Sequence, residues 1–264
     1  VSGPRRPLPR AVWLPAAIAL AVLVLPLVAL VVRAPWSSMG EQITSGPVLA
    51  ALWLSVWTAA VATIASLVLG VPLALALERS RGWPAVPRRL VRALVTVPLV
   101  LPPVVGGIAL LLFFGRRGLL GQFLPFSLPF TPAAVVLAQV FVSMPFLVLA
   151  VEGALAASDP RFELAAATLG ASRARVLMRV TLPLVQPGLS AGAVLCFTRA
   201  LGEFGATITF AGNSPGATQT LPMATYLALQ RDPDAAIALA LVLMAVSVLV
   251  LVLLRDRWLP GLAA

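Results

Sequence analysis

Long apolar stretches alternate with short polar gaps along this chain, and the length of the stretches identifies their solvent. Residues 11–32, 48–77, 90–114, 132–157, 187–210 and 235–254 are apolar with few charges. A helix rising about 1.5 Å per residue needs about 20 residues to cross a hydrocarbon core about 30 Å thick. The pattern therefore predicts six membrane-spanning helices. Pro26, Pro72, Pro98, Pro102, Pro103 and Pro145 fall inside these stretches. Neighbouring helices can satisfy the carbonyls that proline frees, so these positions are expected to be kinks rather than breaks.

One polar insert interrupts the pattern, between the fourth and fifth stretches. Asp159-Pro160 reads as a helix start, an acceptor at the N-cap followed by a proline whose missing N–H costs nothing there. Phe162, Ala165, Ala166 and Leu169 recur at i, i+3, i+4 and i+7, one apolar face, and Gly170 ends the helix. Ser172 can cap a second helix with Val176, Leu177 and Val180 on one side and Arg173, Arg175 and Arg179 on the rest. Pro183 and Pro187 close it. By periodicity alone this is a solvated amphipathic loop or a knob that a partner grips.

Composition agrees with a lipid solvent: 60% of the 264 residues are apolar, 11% are charged, and the mean hydropathy is +1.02. Histidine is absent and Cys196 is the only cysteine, in an apolar run where it reads as a small buried hydrophobe. Disulfides, Cys/His metal sites and imidazole-dependent triads are thereby excluded, and no metal site is expected. No G-x-x-x-x-G-K-[ST] loop occurs, and there is no lysine to complete one.

The formal charge of +10 comes entirely from arginine on the basic side. In a soluble protein it would suggest nucleic acid. Here the arginines sit in the gaps between spans, so no nucleic-acid partner is expected and the arginines report orientation instead. With the N-terminus inside, 14 arginines fall inside, 4 outside and Arg199 within a span. That asymmetry predicts both termini in the cytoplasm. The first stretch is longer than the 7–15 residues usual in a signal peptide and lacks a small-x-small cleavage site, so it is expected to be retained.

Two spans carry unusual chemistry. Arg199 and Glu203 are four apart, so on a helix they share a face and can pair. An arginine within a span costs about 2.5–3.5 kcal/mol on insertion scales, so it needs a partner or a role. The pair either neutralises itself and pins the helix or acts on a charged solute along a hydrated pathway. In the third span, Pro102, Pro103, Gly106 and Gly107 put irregular backbone at membrane depth, which reads as a pathway wall or a packing point. Gly188 and Gly192 form a G-x-x-x-G, which permits close helix contact without naming the neighbour.

The insert resembles the EAA signature of ATP-binding-cassette importer permeases, carried here by Glu163, Ala165, Ala166, Leu169, Gly170, Val180, Leu182 and Pro183. With L-P-P-V-V-G-G at 101–107 and L-G-E-F-G-A-T-I-T-F-A-G-N at 201–213, the chain from about residue 48 onward is similar to the permease subunits of bacterial molybdate importers. The phrase R-A-L-G-E-F-G at 199–205 is shared with sulfate and thiosulfate permeases, whereas G-A-T-I-T-F at 205–210 favours molybdate.

The resemblance implies an all-α polytopic membrane protein of the type I importer permease fold. Six transmembrane helices and a cytoplasmic coupling helix between helices 4 and 5 are expected. Residues 1–45 would hold the N-terminus and first helix, 46–257 the permease domain with its loop at 158–183, and 258–264 a short cytoplasmic tail. It implies a homodimer in the bacterial inner membrane, two cytoplasmic ATPase subunits and an extracytoplasmic oxyanion-binding protein. Asp159, Pro160, Glu163, Ala165, Ala166, Leu169, Gly170 and Pro183 would couple to the ATPase, with Glu163 offering its charge to that partner. This chain would be non-catalytic and bind no cofactor; ATP and Mg²⁺ would belong to the ATPase. Segment 221–229 is expected to form a short helix on the outer face.

Other readings stay open: import of sulfate, thiosulfate or tungstate by the same architecture, or a secondary transporter driven by an ion gradient. The latter would carry carboxylates or histidines at the midplane. Glu203 is the only carboxylate read as lying well inside a span, and no internal repeat is found.

Overall fold

The computed structural model describes residues 10–258; Arg5, Arg6 and nearly all of the C-terminal tail lie outside them. The described residues form helices and connecting turns, with no strand among them. Four helices are long and apolar enough to cross a membrane: α1 (Trp13–Val32), α3 (Gly46–Arg79), α6 (Pro132–Ala157) and α13 (Pro233–Trp258). A short α2 (Met39–Thr44) joins the first two. The 34 residues of α3 reach about 51 Å, well beyond a hydrocarbon core of about 30 Å, so this helix tilts or projects at an end.

The third span departs from expectation. It consists of α4 (Ala85–Val100) and α5 (Pro103–Phe114), whose axes differ by 115°. Pro26, Pro72, Pro98 and Pro145 are all accommodated inside helices. The pair Pro102-Pro103 is not. Two successive prolines remove two backbone donors, and each forces its predecessor out of the helical region; Leu101 and Pro102 are accordingly extended, with ψ of 135° and 132°. A kink was the expectation, and a break is the outcome.

The fifth span is divided as well. After the polar insert, α10 (Gln186–Leu201) ends at Gly202 and α11 (Gly205–Phe210) follows it. The connection between α11 and α13 holds α12 (Leu221–Leu229), the short helix foreseen at those residues. Ser55 Oγ, on α3, accepts the Leu221 N–H at 2.7 Å and anchors the start of α12. Asp232 caps α13 by accepting the N–H groups of Asp234 and Ala235.

Helix α6 is the axis of the bundle. Thr131 caps it, its Oγ1 accepting the Ala134 N–H at 3.3 Å, and Pro132 occupies the first turn. One end packs against α5 and α11 through Val135, Ala138 and Phe210; the other packs against α3 and α10 through Leu147, Val151 and Cys196. Lipid offers no hydrophobic drive for helices to associate, so close contact between small side chains must supply it. Small residues accordingly predominate among the buried positions of α3, with Ala51, Ser55, Ala59, Ala62, Ser66, Gly70 and Ala74 beside Leu54, Thr58, Thr63 and Leu77. The hydroxyls of Thr58, Thr63 and Ser143 donate to carbonyls of their own helices, at 2.6, 2.7 and 2.6 Å, so no water is needed to satisfy them.

Gly188 and Gly192 find their neighbour within the same chain. A Cβ on Gly188 would overlap the methyl of Ala154, and one on Gly192 would stand 3.0 Å from that of Ala150. The G-x-x-x-G therefore seats α10 on α6.

Candidate functional site

The polar insert folds as two short helices at one end of the bundle. Asp159 Oδ1 accepts the Arg161 N–H at 2.9 Å and starts α7 (Arg161–Thr168) beyond Pro160. Gly170 ends it in the left-handed region, with φ at 81°. There the Ala171 N–H reaches the Ala166 carbonyl and the Gly170 N–H reaches that of Ala167, so the last carbonyls of α7 are satisfied by a Schellman turn. Ser172 then caps α8 (Arg173–Val176), its Oγ accepting the Arg175 N–H at 3.4 Å. The helix widens into a π-turn over Leu177–Thr181, returns to α geometry in α9 (Leu182–Leu184), and bends by 70° into α10. Pro183 lies in the first turn of α9, where its missing N–H is tolerated.

The knob's side chains divide in two directions. Val176 is buried, with Leu177 and Val180 half-buried, while Arg173, Arg175 and Arg179 are exposed. On α7, Ala166 is half-buried, whereas Phe162, Leu164, Ala165 and Leu169 are exposed, Leu169 to 88%. An apolar crest thus stands free of this chain at the tip of a polar insert.

Glu163 is half-buried and turns one carboxylate oxygen toward its own chain. The Thr181 hydroxyl donates to Glu163 Oε1 at 2.5 Å, so the carboxylate is engaged by its own chain 18 residues on.

Arg199 and Glu203 meet as expected, with Nη1 and Oε2 at 2.6 Å. The helix has already ended at Leu201, however, so the pair bridges the α10–α11 break. Glu203 Oε1 accepts the Ala206 N–H at 2.8 Å and thereby caps α11. Glu203 is 1% exposed and Arg199 29%. The carboxylate spends one oxygen on the arginine and the other on the backbone, an arrangement that repairs the broken span.

Gly106 and Gly107 lie where α5 meets its neighbours. A Cβ on Gly107 would stand 2.6 Å from the Ala206 carbonyl oxygen, and one on Gly106 would stand 2.8 Å from the Phe141 ring. Pro103 approaches Gly205 just as closely, at 2.9 Å from a Cβ built there. Two broken spans are pressed together at their breaks. Pro102 itself is exposed.

One ion pair escaped the sequence. Arg92 on α4 binds Glu152 on α6, two residues 60 positions apart. Glu152 is buried inside an apolar span, so Glu203 is not the only carboxylate there. Its position five residues before the end of a span was the available signal, since a buried carboxylate requires a partner. Cys196 is buried as foreseen, with Sγ 3.2 Å from Ser143 Oγ.

Apolar spans around a central helix, two of them broken and pressed together, with a polar two-helix insert at one end, are the build of a membrane transport subunit. Residues 66–260 match the family described as binding-protein-dependent transport system inner membrane component, and the chain belongs to that family. It is 52% identical over 240 residues, 89% of each chain, to the molybdenum transport system permease protein ModB of Mycobacterium tuberculosis. The Escherichia coli K12 protein of that name is 42% identical over 193 residues, covering 72% of this chain and 83% of its own. The sulfate transport system permease protein CysT of Salmonella typhimurium is 38% identical over 215 residues, 79% of this chain and 76% of its own.

Among solved structures, a bacterial ABC transporter involved in import of the acidic polysaccharide alginate superposes with a TM-score of 0.74 at 15% identity. It covers 96% of this chain and 95% of its own. The MetNI methionine ABC transporter, in inward-facing conformations, gives 0.63 at 19% identity over 81% and 99%. These two establish the fold.

Proposed function

We propose that this chain is the transmembrane subunit of an ATP-driven importer for molybdate. The observation that carries the reading is 52% identity to a molybdenum permease across 89% of both chains. Two copies enclose the pathway, two separate ATPase subunits bind the knob, and an oxyanion-binding protein docks on the opposite face. The arginine asymmetry supports placing the knob and both termini in the cytoplasm. The exposed crest of Phe162, Leu164 and Leu169 is suited to a groove in the ATPase, with Ala165 allowing close approach. Catalysis, ATP and Mg²⁺ reside in that partner, and this chain binds no cofactor. Alternation between outward-open and inward-open forms follows rigid-body motion passed through the knob.

Sulfate is the second reading, supported by 38% identity to a sulfate permease. Reconstitution with the cognate ATPase and binding protein in proteoliposomes decides between them. Labelled molybdate is expected to enter on ATP addition and to be displaced poorly by a hundredfold excess of sulfate. Sulfate uptake at the greater rate overturns the molybdate reading, and uptake without the ATPase overturns the whole class.

A further inference from the structure

We infer that Thr181 is the positioning residue through which the knob moves the fifth span, with one carboxylate oxygen of Glu163 as its acceptor on α7. This rests on the coupling reading given above.

Helix α7 is joined to the bundle by two routes. The covalent route passes through Gly170, whose left-handed backbone makes a tight turn, and then through the π-turn at Leu177–Thr181. A push on α7 along that route must pass a reversal of chain direction and then the π-turn before it reaches α10. The second route bypasses the Gly170 turn. Glu163, in the first turn of α7, accepts the Thr181 hydroxyl at 2.5 Å, and Thr181 is the last residue of the π-turn, four positions before the bend at Val185.

Thr181 also spends its hydroxyl differently from the threonines that bond within their own helices. Thr58, Thr63, Thr198 and Thr225 each donate to the carbonyl four residues earlier. Thr181, only 2% exposed, instead reaches across 18 residues to a carboxylate. π-turns inside helices occur frequently at functional sites, and this one places a buried donor against the lever. A hydrogen bond to a charged acceptor is stronger than a neutral one, which suits a link that must carry load.

The test has two arms. In the first, a spin label is placed on Thr168→Cys at the exposed end of α7 in the full permease; buried Cys196 stays unlabelled. Thr181→Val, matched in shape but unable to donate, is expected to raise label mobility, and Thr181→Ser to return it to the wild-type value. In the second, the complete transporter is reconstituted and anion moved is divided by ATP hydrolysed. Thr181→Val and Glu163→Ala are each expected to lower that ratio roughly three- to tenfold, and the double change to do no worse than either. Glu163→Gln, which keeps an acceptor oxygen, should stay near wild type.

Unchanged mobility and ratio in Thr181→Val overturn the inference, as does failure of Thr181→Ser to restore them. Loss of ATPase co-purification in Glu163→Ala, with Thr181→Val unaffected, assigns Glu163 to the partner and overturns it too. A wild-type complex that moves no oxyanion overturns the substrate reading alone, because label mobility still reports the bond.

Discussion

Helices α1 and α6 are both unbroken and apolar, yet none of the most apolar window of α1 is buried against this chain, while 61% of that of α6 is. The difference lies in a few polar side chains rather than in mean hydropathy: α1 has none, and α6 carries Gln139, Ser143 and Glu152. Helix α1 presents Leu14, Ile18, Leu23 and Leu27 on its surface, bulky groups at home in lipid tails. Helix α6 buries Val135, Val142, Leu147 and Val151 together with Ala134 and Ala138, which let helices close in, and Gln139, Ser143 and Glu152, which need protein partners. Within a membrane, apolar content says which residues meet lipid or protein in place of water. Polar residues say which of those two it is.

Four substitutions probe this contrast, each read by equilibrium unfolding in mixed micelles. The largest effect is expected for Gly188→Val, which drives a branched side chain into Ala154 of α6; about 3 kcal/mol should be lost. Leu147→Ala, at a fully buried position on α6, should cost about 2 kcal/mol. That is the low end for a core leucine, since lipid replaces water as the reference and only packing contacts are lost. Glu152→Gln weakens the tie to Arg92, whose half-exposed side chain can turn to solvent or headgroups, and should cost about 1 kcal/mol. The smallest effect is expected for Leu23→Ala on α1, within about 0.5 kcal/mol. A cost at Leu23 equal to that at Leu147 would break the comparison, because α1 would then be packed against something other than lipid.

The knob supports the same distinction between local and distant information. The positions of Val176, Leu177 and Val180 inside and of Arg173, Arg175 and Arg179 outside were legible, since amphipathic spacing is a property of one helix. The limits of α6 coincide with those read from the chain, because an unbroken apolar run is a local property of the sequence. The inward turn of Glu163 was not legible. It depends on Thr181, which comes within reach only once the Gly170 turn has doubled the chain back.

Sequence by itself determined where lipid-compatible helices run, where they cap, and that a polar two-helix insert interrupts them, because backbone satisfaction and amphipathicity act over a few residues. Only the tertiary structure decided that Pro102-Pro103 breaks a span by 115°, that Glu203 repairs another break, that Glu152 answers Arg92, and that Gly188 and Gly192 seat on α6. Each of these is a choice of partner. In a chain this apolar many partners are chemically acceptable, so the selection falls to which surfaces come close enough to touch.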